Sequence, residues 1–170
     1  MNTLTIATHR LDLVLESTAA VLARIEAMTP ADRAEVSPEW LARVRVEVPG
    51  PWTHGFAVLE RAGSTAVGAC GFKGPPDADG VVEVAYGIEP AHQGRGYAKE
   101  TVSALVEFAG QAGAQVVRAH TKPDNGPSTG VLAGCGFVQI GEVVDPEDGR
   151  VCRWERRVRP LPADQPPNER

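Results

Sequence analysis

The chain has 170 residues, 42% apolar and 23% charged, with a formal net charge of −5. That length allows one domain with a substantial core, and the balance is that of a globular chain, which excludes wholesale disorder. The acidic surplus counts against a nucleic-acid partner, and Cys70, Cys135 and Cys152 are too widely spaced for a metal site or a disulfide framework.

The opening Met-Asn-Thr-Leu-Thr-Ile lacks a basic segment followed by an apolar stretch, so no signal peptide is expected. No apolar run reaches membrane-spanning length, which predicts a cytoplasmic protein without a membrane partner. Thr3 to Val14 reads as one opening strand. Val21, Leu22, Ile25 and Met28 then recur at helical spacing, with Ser17 placed as the cap. Ser37-Pro38 signals a second helix, whose buried face would be Trp40, Leu41 and Val44. Strands are predicted over Gly55 to Glu60, Ala66 to Phe72 and Val81 to Ile88, the first two joined at Gly63-Ser64. Gly74 to Gly80 is a loop by composition. Ala98, Val102, Leu105, Val106 and Ala109 mark the apolar face of a helix after Gly96. Gln115 to His120 reads as a strand and Ser128 to Cys135 as a short helix. Phe137 to Val144 and Val151 to Val158 pair as a hairpin around Asp145 to Gly149. The expected organisation is one domain over residues 1–158, followed by a proline-rich flexible tail over 159–170. Its fold class is α/β (α+β): a mixed sheet covered by helices.

The densest chemistry lies where the strand ending at Ile88 turns through Gly94 and Gly96 into a helix. The first amides of a helix lack internal partners and sit at the positive end of its dipole. Glycines let an anion approach them, and Arg95 and Lys99 add charge, so the segment is built to cradle a pyrophosphate. It is not a dinucleotide fingerprint, because Lys99 stands where a third glycine is needed. Nor is it a P-loop, because Gly-Lys-Ser/Thr is missing. A ligand-free Gly-rich turn stays open from these residues alone.

Gln93-x-x-Gly96-x-Ala98 resembles the coenzyme A motif of the GNAT superfamily of N-acetyltransferases. Asn125-x-x-Ser128 followed by Gly136-Phe137 resembles that family's next landmark, and Val82 to Pro90 resembles the strand before the motif. Thr8-x-Arg10-Leu11-x-Leu13 resembles the opening of the ribosomal-protein N-terminal acetyltransferase-like (RimJ/RimL-like) branch. The likeness covers about Thr8 to Val158. It implies a largely antiparallel sheet with a splayed central strand pair, and acetyl-CoA as cosubstrate with no metal. It further implies transfer of acetyl to a primary amine, a protein or peptide N-terminus or a small molecule. A homodimer is compatible with it. The cofactor side would be Tyr86, Gly87, Ile88, Gln93, Gly94, Arg95, Gly96, Tyr97, Ala98, Lys99, Asn125 and Ser128. Asn125 would hold the pantetheine arm, and main-chain groups around Tyr86 to Ile88 would pair with it like an added strand, with Gly87 marking a bulge or a close approach.

Acetyl transfer to an amine needs a base, because a lysine-type amine is mostly protonated near neutral pH. Glu83 is the candidate. Strand alternation places Val82, Val84, Tyr86 and Ile88 on one face and Glu83 with Ala85 and Gly87 on the other. Such small apolar neighbours would desolvate the carboxylate, as suits a base. Many family members place a tyrosine five residues before the Gly-Phe phenylalanine to protonate the leaving thiolate; here that residue is Leu132. Ser128 is the best substitute, although it also reads as a helix cap, and Asn125 as a turn residue. His9, His54, His92 and His120 read as surface or satisfied residues, Cys135 as core, and Trp52 and Phe56 as core before pocket lining. The acceptor side is expected from Ala31 to His54 and the closing hairpin. A non-catalytic acyl-CoA-binding module and a nucleotide-binding protein stand as alternatives.

Overall fold

The computed structural model describes residues 2–158. The tail expected over 159–170 lies outside the described residues. Strands β1 (Thr5–Ala7) and β2 (Leu11–Leu15) are followed by helices α1 (Thr18–Glu26), α2 (Pro30–Ala34) and α3 (Pro38–Val46). Strands β3 (Phe56–Glu60), β4 (Ala66–Phe72) and β5 (Val81–Ile88) lead through a 3-10 turn at Pro90–His92 into α4 (Tyr97–Gln111). Then come β6 (Val116–Thr121), α5 (Gly126–Gly134), β7 (Val138–Asp145) and β8 (Gly149–Arg157). The strands form one sheet in the order β1-β2-β3-β4-β5-β6-β8-β7. Every pairing is antiparallel except β5 with β6. This is the mixed, helix-flanked fold expected from the sequence.

The caps form as their residue types dictate. Ser17 Oγ accepts from the Ala20 N–H at 3.1 Å, and Ser37 Oγ from the Trp40 N–H at 3.3 Å. The two helices so started share a small core of Val21, Ile25 and Val44, with Met28, Trp40 and Leu41 packed against it. The main core lies between the sheet and α4, whose Val102, Leu105, Val106 and Ala109 are buried as their spacing predicts. Trp52 packs against Phe72 and Phe108, and Phe56 against Phe108, so both residues belong to the core.

The opening segment differs from the single strand expected. It is a hairpin, Thr5↔Val14 to Ala7↔Asp12, because Thr8 to Arg10 turns back instead of extending. Helix α2 was missed in sequence, although Thr29-Pro30 is a cap followed by a first-turn proline, and Thr29 Oγ1 accepts from the Asp32 N–H. At α5 the cap is Asn125, and the helix starts at Gly126, ahead of the expected Ser128.

Candidate active site

The loop between β5 and α4 is held open by its own side chains. Gly94 and Gly96 have φ of +79° and +82°, the left-handed region that glycine enters without strain. No acceptor among the described residues bonds the N–H groups of Gly94 through Lys99, so those amides stand free at the helix start. Gln93 Nε2 donates to the Ile88 carbonyl at 2.8 Å, tying the loop to its strand. Arg95 reaches Glu60 at 3.4 Å, and Tyr97 donates to the same carboxylate at 3.0 Å. Lys99 runs along α5, its Nζ 2.8 Å from where a Cβ on Gly134 would stand. Of the residues expected here, the backbone amides remain available, while Gln93 and Arg95 are engaged in holding the loop.

Thr8 and Arg10 brace the loop from behind. The Thr8 hydroxyl donates to Glu100 Oε2 at 2.5 Å, and Arg10 reaches the same carboxylate through its N–H and its Nε, each at 2.9 Å. Arg10 Nη1 also donates to the Arg95 carbonyl at 2.8 Å, and its guanidinium lies 4.7 Å from the centre of the Tyr97 ring. Burial pushes the Glu100 carboxyl up, but the bonds from Thr8 and Arg10 outweigh it and hold the group below its ordinary range.

Strand β5 parts from β6 just below this loop. Their parallel pairing runs from Val81↔Val116 to Glu83↔Arg118, whereas β5 stays paired with β4 up to Ile88↔Gly68. The Lys73 N–H bonds to the Glu83 carbonyl, and the Glu89 N–H to the Val67 carbonyl. Alternation therefore turns the main-chain groups of Ala85 and Gly87 toward β4, and those of Val84, Tyr86 and Ile88 toward the open slot. Gln93 occupies the Ile88 carbonyl, so the Tyr86 main chain and the Ile88 N–H present the free groups there among the described residues. Gly87 forms no bulge: it pairs in regular register with Ala69, and a Cβ on it would meet nothing within 4 Å. The close approach is at Gly68, where a Cβ would stand 2.1 Å from the Gly87 carbonyl oxygen.

Glu83 sits where the strands begin to part. Contrary to the apolar surroundings expected, its Oε1 stands 2.5 Å from His120 Nδ1 and 3.5 Å from Lys73 Nζ. Arg153 Nε donates in turn to His120 Nε2 at 3.1 Å. His120, read in sequence as a satisfied strand residue, thus belongs to the site. Its signal was only its place on a strand beside β5, invisible without the pairing.

A cavity of about 650 Å³ opens on Glu83. Its walls come from α1, α3, Thr53 and His54, β4, β5 and the Asp145–Asp148 turn; α3, Thr53, His54 and that turn fall in the segments expected to form an acceptor side, and α1 lies outside them. Its basic residues are already paired, Arg24 with Glu16, Arg43 with Glu47 and Lys73 with Glu83. Its carboxylates Glu35, Glu39, Asp145, Glu147 and Asp148 have no ion-pair partner among the described residues, so the wall is electronegative. The amides of Asp148 and Glu147 hold the Asp145 carboxyl below its ordinary range. His54, 1% exposed, lines the same wall with one ring nitrogen 2.9 Å from Thr18 Oγ1.

A second cavity of about 290 Å³ shares Glu83 and Tyr86 with the first and adds His120, Asn125 and Ser128. Asn125 Oδ1 accepts from the Ser128 N–H at 3.1 Å, so Asn125 is the cap of α5 and Ser128 is not. The Tyr86 phenol is buried without a hydrogen-bond partner among the described residues. Burial pushes its pKa up, and the nearby Ser128 hydroxyl opposes that. Beyond the backbone role expected of Tyr86, the packing brings its hydroxyl to the Ser128 side. Leu132, at the position of the family's tyrosine, is fully buried core.

The free amides and the open strand edge suit a pyrophosphate attached to an extended, amide-bearing arm. An acetyltransferase of the GNAT family from Bacillus anthracis superposes with a TM-score of 0.71 at 18% identity, covering 91% of this chain and 98% of its own. RimL, a ribosomal L7/L12 α-N-protein acetyltransferase in complex with coenzyme A, superposes with a TM-score of 0.69 at 16% identity, covering 91% and 98%. An uncharacterized N-acetyltransferase, p20 of Bacillus licheniformis, is 26% identical over 96 residues, 56% of this chain. The match spans about half, 54%, of that relative's length. The acetyltransferase (GNAT) domain family matches residues 5–138, and the chain belongs to that family.

Proposed function

We propose that the protein transfers acetyl from acetyl-CoA to the primary amine of a cationic acceptor, a peptide or protein N-terminus first among them. The observation that carries this reading is the position of Glu83. Its carboxylate faces the electronegative cavity on one side and the parted strands on the other. Bound along the β5 slot with its pyrophosphate on the Gly94–Lys99 amides, acetyl-CoA supplies an activated acetyl thioester. Glu83 then takes the proton from the acceptor's ammonium, leaving the nitrogen lone pair free to attack. The Tyr86 main chain, turned into the slot, polarises the thioester carbonyl. The Tyr86 phenol and the Ser128 hydroxyl, which line a cavity shared with Glu83, would supply a hydrogen bond to the departing sulfur. The unpaired carboxylates of the wall favour an acceptor with positive charge, and RimL, of the same fold, acts on a protein N-terminus.

The test is thiol release from acetyl-CoA with short peptides bearing a free or a blocked N-terminus and with small diamines. Glu83→Gln is expected to lower turnover by about 10²–10⁴-fold. Its affinity for acetyl-CoA, measured by calorimetry, is expected to stay within about twofold of the parent. Unchanged turnover removes Glu83 as the base. Saturable acetyl-CoA binding with no thiol release from any amine favours a non-catalytic acyl-CoA-binding module.

A further inference from the structure

The proton positions along the row Glu83, His120 and Arg153 follow from donor chemistry. The row is built by the sheet: β5, β6 and β8 lie side by side, with Glu83↔Arg118 and His120↔Arg153 in register. A guanidinium has only donors, so the His120 Nε2 that receives Arg153 Nε at 3.1 Å must offer a lone pair. The ring proton is then on Nδ1, 2.5 Å from Glu83 Oε1. An ionised carboxylate, which only accepts, is the matching partner. Lys73 approaches the same Oε1, while Oε2 has no hydrogen-bond partner among the described residues.

We propose that Arg153 fixes His120 as the neutral Nδ1–H tautomer, and that this imidazole pins Glu83 by Oε1 so that Oε2 is the atom that takes the acceptor's proton. The inference rests on Glu83 being the base; His120 and Arg153 are positioning residues. The surrounding charges agree with it. Glu83 faces the ring from β5 and Arg153 from β8, while Arg118 on β6 is engaged by Glu155 of β8 at 2.7 Å. Lys73 and Asp145 lie farther out, and Asp148 lines the same cavity. A second proton on Nε2 would confront the Arg153 guanidinium directly, whereas the Nδ1 proton faces a carboxylate. The imidazole thus holds the Glu83 rotamer through Oε1 and leaves Oε2 unengaged among the described residues.

Imidazole nitrogen-15 spectra of the whole protein test the tautomer without reference to activity. The expected result near neutral pH is a protonated Nδ1 and a bare Nε2 on His120; a proton on Nε2 overturns the proposal. Kinetics test the consequence. Arg153→Leu should lower kcat by roughly ten- to a hundredfold. Its KM for acetyl-CoA should stay within about twofold, and Arg153→Lys, which keeps a donor, should recover most of the loss. An unchanged kcat in Arg153→Leu, or a loss that falls on the KM for acetyl-CoA instead, overturns the positioning role. Turnover retained by Glu83→Gln would instead show that the base itself is misassigned. Turnover lost in Glu83→Gln but kept in Arg153→Leu would sink this inference alone.

Discussion

Tyr86 carries a buried phenol with no hydrogen-bond partner among the described residues, an arrangement that destabilises a folded chain unless something binds there. Leaving a hydroxyl unsatisfied costs about 1–3 kcal/mol. Tyr86→Phe is therefore expected to raise the melting temperature of the ligand-free protein while lowering kcat, since the phenol is the group turned toward Ser128 and the slot. Thermal unfolding and steady-state thiol release check the pair of effects, and a variant that is both less stable and fully active contradicts the assignment. Gly68 shows the opposite kind of constraint. A Cβ there would stand 2.1 Å from the Gly87 carbonyl oxygen, so Gly68→Ala must push β4 and β5 apart. The expected loss is roughly 1–3 kcal/mol, seen as a lowered denaturation midpoint. Nothing in the string Ala66 to Phe72 singles out Gly68, because the clash depends on register with β5. Glu83 was legible as a candidate from its place in an apolar strand, but its partners were not, since Lys73 arrives from just past β4 and His120 from β6.

At the scale of elements, the β1–β2 turn is joined to the start of α4 through Glu100. Its carboxylate receives Thr8 and Arg10, and Arg10 in turn holds the Arg95 carbonyl. Because the folded-state pKa of Glu100 is depressed, this bracing is fully present above the unfolded value, near 4.5, and is lost as pH falls through the folded value. Glu100→Gln should accordingly lower stability at neutral pH and flatten its decline below about pH 4.5. It should also weaken acetyl-CoA binding, because the Gly94–Lys99 amides lose their backing; urea midpoints across pH and calorimetry measure the two effects. In the sequence, Thr8 and Arg10 were visible only as a family likeness. Their work became readable once the chain was folded, since the bonds to Glu100 cross 90 residues or more.

At the scale of the molecule, the sheet is two halves, β1 to β5 and β6 to β8, sharing among the described residues only the pairs Val81↔Val116, Val82↔Val117 and Glu83↔Arg118. A ligand lying between the halves adds the contacts that the parted strands lack. Acetyl-CoA at about a hundredfold over its Kd should stabilise the fold by about 2.7 kcal/mol. For a chain of this size that corresponds to a rise in Tm of roughly 5–10 °C. Desulfo- or acyl-coenzyme A should shift Tm similarly and NAD should not, and equal shifts with NAD would favour the nucleotide-binding alternative.

The sequence by itself determined the local order: capped helices at Ser17 and Ser37, strands bounded by turn residues, and the Gly94–Gly96 turn into an amphipathic helix. These are decided by residues a few positions apart, through hydrogen bonds and apolar periodicity. It also offered Glu83 and the Gln93-x-x-Gly96-x-Ala98 pattern as candidates, because strand alternation and a short motif are both read from neighbouring residues. Only the tertiary structure decided which strands lie beside β5, and hence that His120 meets Glu83 and Arg153 meets His120, and that among the described residues the Tyr86 phenol has no hydrogen-bond partner and the cavity carboxylates no ion-pair partner. Those outcomes depend on sheet register and parallel crossover, in which residues far apart in the chain fix each other's surroundings.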